Sequence, residues 1–330
     1  MVKKIIAFIT FIFSFAFLSG ESSDKNTKIR AGVLNGPSAI PCAYLIENKA
    51  ESGLELSFEN HASAQTELVA LLKGELDVGF LPPNAAAKVF NSANRAIVCL
   101  GISGNGNLFL ISKKENLPNQ DNNFEQDNLE FLRGKTLYCA GQGATPEYMF
   151  LYLLSKEKIP ADSANGVTLD FSIPNENIAL ALVSGKIEYA LVPEPFATVA
   201  QEKDKNIVRA VNIQKLYRNE TNNTYPMTLL VANSNFAKEN KEILKTFVQF
   251  YAKANDWTVK NPEQAGILTQ KNQLGLKAEA AQKAIANAGF TWKDSSSAKK
   301  EIESLLSVFL DNAPEAIGGK LPSDDFYFEP

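Results

Sequence analysis

The sequence predicts an α/β protein of two lobes, each a mainly parallel sheet flanked by helices, joined by two crossings with a cleft between. Three observations carry this. Strand-like and helix-like segments alternate from residue 28, the alternation restarts after a polar break, and one helix–turn–strand unit occurs twice. A chain of 330 residues with 45% hydrophobic content has room for roughly two domains with cores of their own.

The elements follow from apolar periodicity. Residues 28–34 read as a strand, 35–38 as a turn and 39–48 as a helix. A second strand over 54–59 precedes an amphipathic helix over 64–73. A third strand, 76–81, runs into Pro82 and Pro83 and a helix over 85–90, and strands 96–102 and 107–112 close the unit. This βαβαβ order predicts a mainly parallel sheet. The asparagine-rich stretch 113–128 reads as a connection, after which the pattern restarts. Strand 135–140, a glycine-rich turn over 141–145 and a helix over 146–156 with Pro in its first turn come next. Strand 167–173, helix 178–184, strand 187–192, helix 196–203 and strand 207–212 complete the second unit. Polar residues 205–224 end it and return the chain, and strand 227–232 rejoins the first sheet. Helices are expected over 238–261, 262–273, 277–288 and 298–312. In the first of these, Phe247, Phe250, Tyr251 and Trp257 fall at core spacing. The lobes would then be 28–112 with 225–330, and 113–224.

The repeat is the clearest internal signal. ELVALLKGELDVGFLPP (67–83) resembles ALALVSGKIEYALVPEP (179–195): helix, Gly stop, acidic residue, apolar strand, prolines. The copies start 112 apart while Gly74 and Gly185 are 111 apart, which predicts one residue dropped near the helix end.

At the N-terminus, Lys3 and Lys4 precede an apolar run over 5–18, then Ser19 and Gly20. This is the pattern of a signal peptide over 1–20, the run being shorter than the roughly 20 residues of a spanning helix. The ending Leu18-Ser19-Gly20 would lead to a lipid anchor if Cys followed, but Glu21 stands there. The protein is expected outside the cytoplasm, in a periplasm or equivalent space, without a lipid anchor. Net charge is −4, and losing the two lysines of 1–20 takes it to −6. Nucleic-acid binding needs a clustered basic face, and none is present. Cys42, Cys99 and Cys139 lie in apolar stretches without CxxC or Cys/His spacing, so no metal site is expected. They read as buried small hydrophobes.

Catalytic residues are scarce. His61 is the one histidine, no GxSxG turn offers a nucleophile, and no phosphate-binding GxxxxGK[ST] occurs. No cofactor is expected. Open parallel sheets bind ligands at the carboxyl ends of strands, where helices begin, and the N–H groups there suit anionic or polar acceptors. Five such ends are legible: 35–38, 60–63, 82–84, 141–145 and 193–196. Gly, Pro, Ser, Thr and Asn also serve simply as helix caps, so each turn alone admits a structural reading. Converging on one cleft, they nominate Asn35, Gly36, Pro37, Ser38, His61, Pro83, Asn84, Gly143, Ala144, Thr145 and Glu194 as ligand contacts, with Phe196 and Tyr225 as walls. His61, Glu194 and Phe196 also have plainer readings: His61 as an exposed loop histidine, Glu194 as a solvated turn charge, Phe196 as helix core.

The segments GVLNGPS, KGELDVGFLPP, GKTLYCAGQGATPEY and PEPFA resemble those of periplasmic solute-binding proteins of the nitrate, taurine, alkanesulfonate and thiamine-precursor class. The resemblance covers about 28–311. It implies two α/β lobes joined by two crossings, a ligand held between them, and delivery to the membrane permease of an ABC transporter; with the scarcity of catalytic residues, no enzymatic activity is expected. A monomer is expected. One related branch makes a thiamine pyrimidine from its own histidine with a cysteine-rich segment, which this chain lacks. A nitrogen heterocycle held by Glu194 and His61 is the first ligand reading, because the predicted cleft turns carry no Arg or Lys. A sulfonate, taurine or other small organic anion is the alternative, and an enzyme on the same scaffold using His61 is another.

Overall fold

A computed structural model of the chain describes residues 28–34, 36–118 and 123–330. The segment read as a signal peptide, Glu21 and Asn35 lie outside the described residues. In chain order come Lys28–Leu34 (β1), Ala39–Glu47 (α1), Glu55–His61 (β2), Ala64–Lys73 (α2), Val78–Leu81 (β3), Pro83–Ser92 (α3) and Ile97–Asn105 (β4). Then follow Leu108–Lys113 (β5), Lys135–Cys139 (β6), Thr145–Lys156 (α4), Val167–Asp170 (β7), Asn175–Val183 (α5), Tyr189–Pro193 (β8), Phe196–Lys203 (α6), Ile207–Asn212 (β9) and Ile213–Thr221 (α7). Pro226–Asn233 (β10), Ser234–Glu239 (α8), Lys241–Lys260 (α9), Pro262–Lys271 (α10), Ala278–Ile285 (α11), Phe290–Asp294 (β11) and Ser295–Asn312 (α12) complete the chain. Among the described residues no helix is long and apolar enough to cross a membrane.

The strands form two sheets, ordered β11-β4-β10-β3-β1-β2 and β7-β6-β8-β5-β9. In the first, β1 pairs in parallel with β2 and β3, while β10 runs antiparallel to β3 and β4, and β11 antiparallel to β4. In the second, β6 is parallel to β7 and β8, and β5 is antiparallel to β8 and β9. Strands β1 to β4 therefore share one direction, as do β6 to β9. Apart from the edge strand β11, the reversed strands are β5 and β10, which enter a sheet directly from a crossing. A strand arriving from the other lobe enters at the inner end of its new sheet and runs outward, opposite to its neighbours.

Two sequence expectations change here. Residues 107–112 were expected to pair with 96–102; β5 instead lies in the second sheet, between β8 and β9. The first crossing is therefore Gly106 and its neighbours, not the polar stretch after residue 113, which joins β5 to β6 within the second unit. The amide of Gly106 donates to Tyr225 O at 2.9 Å, so the outward and return crossings are bonded to each other. A Cβ at Gly106 would lie 1.8 Å from Gln214 Oε1 and 2.5 Å from the Tyr225 ring, so no larger residue fits. The edge strand β11 was not foreseen. It is short, and its pairing with β4 shifts register between Phe290 and Lys293, leaving little periodicity to read.

The repeat is realised with a constant offset. Glu75 N donates to Ala70 O and Lys186 N to Ala181 O, while Gly74 N and Gly185 N bond Leu71 O and Leu182 O. Both glycines have positive φ, 69° and 74°, the left-handed conformation that ends a helix. Every equivalent pair is 111 apart, so no residue is dropped. Each copy lays its helix on the sheet through the same positions: Glu67 and Leu71 in α2, Ile178 and Leu182 in α5, all buried.

Core packing is continuous from sheet to sheet, with Leu81, Ile102, Leu108, Leu137, Phe150 and Phe309 in one apolar cluster. Helix α12 bridges the units: Phe309 meets the Tyr148 ring edge-on at 5.0 Å, and the Ser304 hydroxyl lies 3.4 Å from that of Tyr217.

The position equivalent to Ile178 holds an acid. Glu67 is fully buried, and its Oε1 accepts from Phe80 N at 2.6 Å. Register pairing of β1 with β3 is confined to Ala31 and Val78, and the carboxyl occupies the gap beyond. A Cβ at Gly32 or Gly79 would sit 2.6 or 2.5 Å from Glu67 Oε1, so both strands need glycine there. Burial penalises the charged form and pushes this carboxyl up to about 8, with the Phe80 N–H opposing. The folded chain thus holds a proton that the unfolded chain releases near its ordinary carboxylate range. That contribution to stability is complete at low pH and is lost as pH rises through about 8. Melting curves from about pH 6 to about pH 9 should show the protein weakening with rising pH, and Glu67→Gln should flatten that slope.

Candidate functional site

The eight strands that share direction end toward the space between the sheets. A cavity of about 860 Å³ lies there, within the usual range for small-molecule sites. The first unit lines it with Leu34, the turn 62–65, Pro82, Asn84 and the inner face of α3; the second with 141–144 and the loop 171–175. Asn84 Nδ2 donates to Gly143 O at 3.1 Å, a hydrogen bond from one unit to the other.

Helices α2, α3, α4 and α5 all begin at this cavity, since their N-cap residues Ser63, Pro82, Ala144 and Pro174 line it. Some of the N–H groups there are already engaged. Ser63 Oγ accepts from Thr66 N, Asn175 Oδ1 from Gly141 N at 3.2 Å, and Glu147 Oε2 from Gly143 N at 2.6 Å. Lys88 is the only charged side chain among the described lining residues. It is exposed and has no ion pair among the described residues.

Of the sequence-nominated residues, the structure brings Asn84, Gly143 and Ala144 into this cavity. Pro83 and Thr145, the first residues of α3 and α4, are buried beside them. Asn84 Oδ1 and Thr145 Oγ1 are buried without a hydrogen-bond partner among the described residues. Pro37 and Ser38 border a separate void of about 10 Å³ with Asn105 and Asn107, room for one water at most. Ser38 Oγ donates back to Leu34 O at 3.0 Å, and Gly36 precedes it with φ 126°. His61 is not an exposed loop residue. It ends β2 beside Leu34, is 7% exposed, and its Nε2 lies 3.6 Å from Glu59 Oε1.

Three nominees serve the interior instead. Glu194 is fully buried, and its carboxylate accepts from the Arg209 guanidinium and from Thr198 N. Arg209 also donates to Thr198 Oγ1 and Gln201 and lies 5.0 Å over the Phe109 ring. The turn-charge reading therefore gives way to an internal ion pair, because β9 places Arg209 against the end of β8. Phe196 packs half-buried on the second unit's core. Tyr225 is fully buried at the crossing, its ring edge-on to Tyr217 at 5.2 Å and its hydroxyl unpartnered among the described residues.

Sequence reading missed Lys88, Gln65 and the loop 171–175. The loop was hidden because residues 167–173 read as one apolar strand, whereas β7 ends at Asp170. Lys88 sits in the second turn of α3, outside any turn signal. Cys42, Cys99 and Cys139 are buried and unpaired, and burial pushes the Cys99 thiol up to about 12. Among the described residues no His, Cys, Asp and Glu cluster could hold a metal.

The sequence model of the NMT1-like family matches residues 25–270. YtlA of Bacillus subtilis (strain 168), described as a candidate binding protein, is 23% identical over 249 residues, spanning 74% of this chain and 70% of its own. A crystal structure of an ABC transporter protein from Parabacteroides distasonis superposes with TM-score 0.76 at 22% identity, covering 92% of this chain and 99% of that one. The periplasmic aliphatic sulphonate-binding protein SsuA of Escherichia coli gives TM-score 0.71 at 14% identity, covering 92% of each. At these identities the likenesses establish the fold.

Removing one partner of a buried ion pair strands the other charge. Arg209→Met should cost about 3 to 5 kcal/mol, read from denaturant midpoints, and adding Glu194→Gln should restore much of it.

Proposed function

The chain belongs to the NMT1-like family, and from that premise we propose that it is the extracytoplasmic substrate-binding component of an ABC-type import system. The carrying observation is the cavity of about 860 Å³ walled by turns from both sheets. A site assembled from two separately sheeted units, joined by two crossings bonded through Gly106 and Tyr225, favours capture by hinge closure. The lobes would be 28–105 with 226–330, and 107–221, a division that puts β5 with its own sheet. A ligand shifts such a pair toward the closed form only by binding that form more tightly. Asn84, reaching Gly143 across the cleft, is suited to report closure.

In this reading the N-terminal apolar segment exports the chain, a membrane permease receives the ligand, and the protein acts as a monomer without catalysis. The enzymatic alternative would have to use His61, whose buried Nε2 lies 3.6 Å from Glu59 Oε1. The nitrogen-heterocycle reading relied on Glu194, whose carboxylate is engaged by Arg209. The ligand class is better read from the groups that line the cleft.

A panel of heterocycles, sulfonates and amino acids, followed by thermal shift, tests the proposal. A ligand at about 100 times its Kd adds about 2.7 kcal/mol of stability, and Asn84→Ala should lower its affinity. Turnover of a panel member that vanishes in His61→Ala while its affinity survives would contradict a pure binding role.

A further inference from the structure

We propose that helix α11 is a closure latch: its Lys283 engages Glu202 of α6 and biases the two lobes toward the closed arrangement without touching the ligand. This rests on the hinge-closure reading above and names a device that sets its equilibrium.

The latch is anchored at the hinge. The loop that follows α11 lies against the outgoing crossing, where Asn105 N donates to Gly289 O at 2.8 Å and Asn107 Nδ2 to Ala288 O at 3.4 Å. Gly289 has φ 69°, and a Cβ there would sit 2.5 Å from Asn105 O, so glycine permits this approach and a larger residue does not. The body of α11 belongs to the first unit, where Ala281 and Ile285 pack with Ile40 and Ala265. Helix α6 belongs to the second, with Ala197 and Ala200 in that unit's core.

Between these helices runs a chain of alternating charge. Lys283 Nζ donates to Glu202 Oε2 at 2.7 Å and to Glu279 Oε1 at 2.7 Å, and Lys205 Nζ donates to Glu202 Oε1 at 3.1 Å. Each unit supplies one acid and one base, and the Lys283–Glu202 bond joins the two halves. Lys283 is the foremost influence holding the Glu202 carboxyl below its ordinary range, ahead of Lys205.

The other contact between the units is of a different kind. On the α12 side they share one apolar cluster, with Phe309 against Tyr148, while α11 and α6 pack in separate clusters. A shared apolar core resists separation, whereas an exposed ion pair breaks and re-forms at small cost. The α12 side therefore suits a pivot and the α11 side a catch. Neither Lys283 nor Glu202 is among the described residues lining the cleft. The pair thus acts on ligand only through the closed population, and apparent affinity falls in proportion to the competent fraction.

Pulsed electron resonance on the ligand-free protein tests this, with spin labels at Glu59→Cys and Glu176→Cys, one in each unit. Lys283→Met and Glu202→Gln should each raise the ratio of long to short distances about two- to fivefold. The double variant should do no more than either alone, and Lys283→Arg should keep the original ratio. Raising NaCl from about 0.05 to about 1 M should lengthen distances in the parent and much less in Lys283→Met. Glu279→Gln removes the partner within α11 and should not lengthen them; lengthening equal to that of Lys283→Met would reduce Lys283 to a helix-stabilising role and overturn the proposal. A broad distribution indifferent to Lys283→Met overturns the latch and leaves hinge closure standing. One narrow distance in every variant at every salt concentration overturns both.

Discussion

The hydrogen bond from Gly106 N to Tyr225 O is the constraint on which the architecture turns. It ties the outgoing and returning crossings together, so both strands that leave them start from the same seam. β5 and β10 run outward, reversed in their sheets, while the other strands run inward apart from the edge strand β11. The inward strands deliver their carboxyl ends, and the helices that follow, to one cleft. Sheet direction, helix polarity and cavity position all agree with this seam, and Gly106 sits where Gln214 and Tyr225 leave no room for a Cβ.

Polar burial in this protein divides into two kinds. Glu194 is an interior carboxyl engaged by Arg209, and Glu67 is one whose Oε1 accepts from Phe80 N–H while its Oε2 is unpartnered among the described residues. They hold strand ends in place rather than present chemistry. Asn84, Thr145 and Tyr225 are buried with atoms unpartnered among the described residues. The first kind supports the cleft walls; the second is what a closing two-lobed binder would leave for a ligand or water to satisfy. Neutralising Glu67 by burial keeps a carboxyl between β1 and β3 without placing a charge beneath the cleft.

Much of the fold was legible because repetition and periodicity survive in the sequence. The 67–83 and 179–195 copies announce two similar sheets, and Gly74 and Gly185 mark the helix ends that keep them in phase. The residue expected to be missing is not, since alignment by letters lost the offset where Glu67 replaces the equivalent of Ile178. β5 was assigned to the wrong sheet because strand pairing is non-local: 107–112 reads equally well beside 96–102 or beside 189–193. The site was less legible. Turn chemistry located Asn84, Gly143 and Ala144, but Glu194 looked like a turn charge because Arg209, fifteen residues away, gives no local signal. Lys88 was passed over because helix position alone does not show which face meets the cleft.

The central claim is that the lobes close on a small molecule bound between them. Spin labels introduced by Glu59→Cys beside the cleft in the first lobe and Glu176→Cys at the start of α5 in the second would report it by pulsed electron resonance. The account predicts a broad distance distribution without ligand, and a shorter, narrower one with a saturating small molecule found by thermal shift. A distribution that stays the same when the cleft is saturated would contradict it.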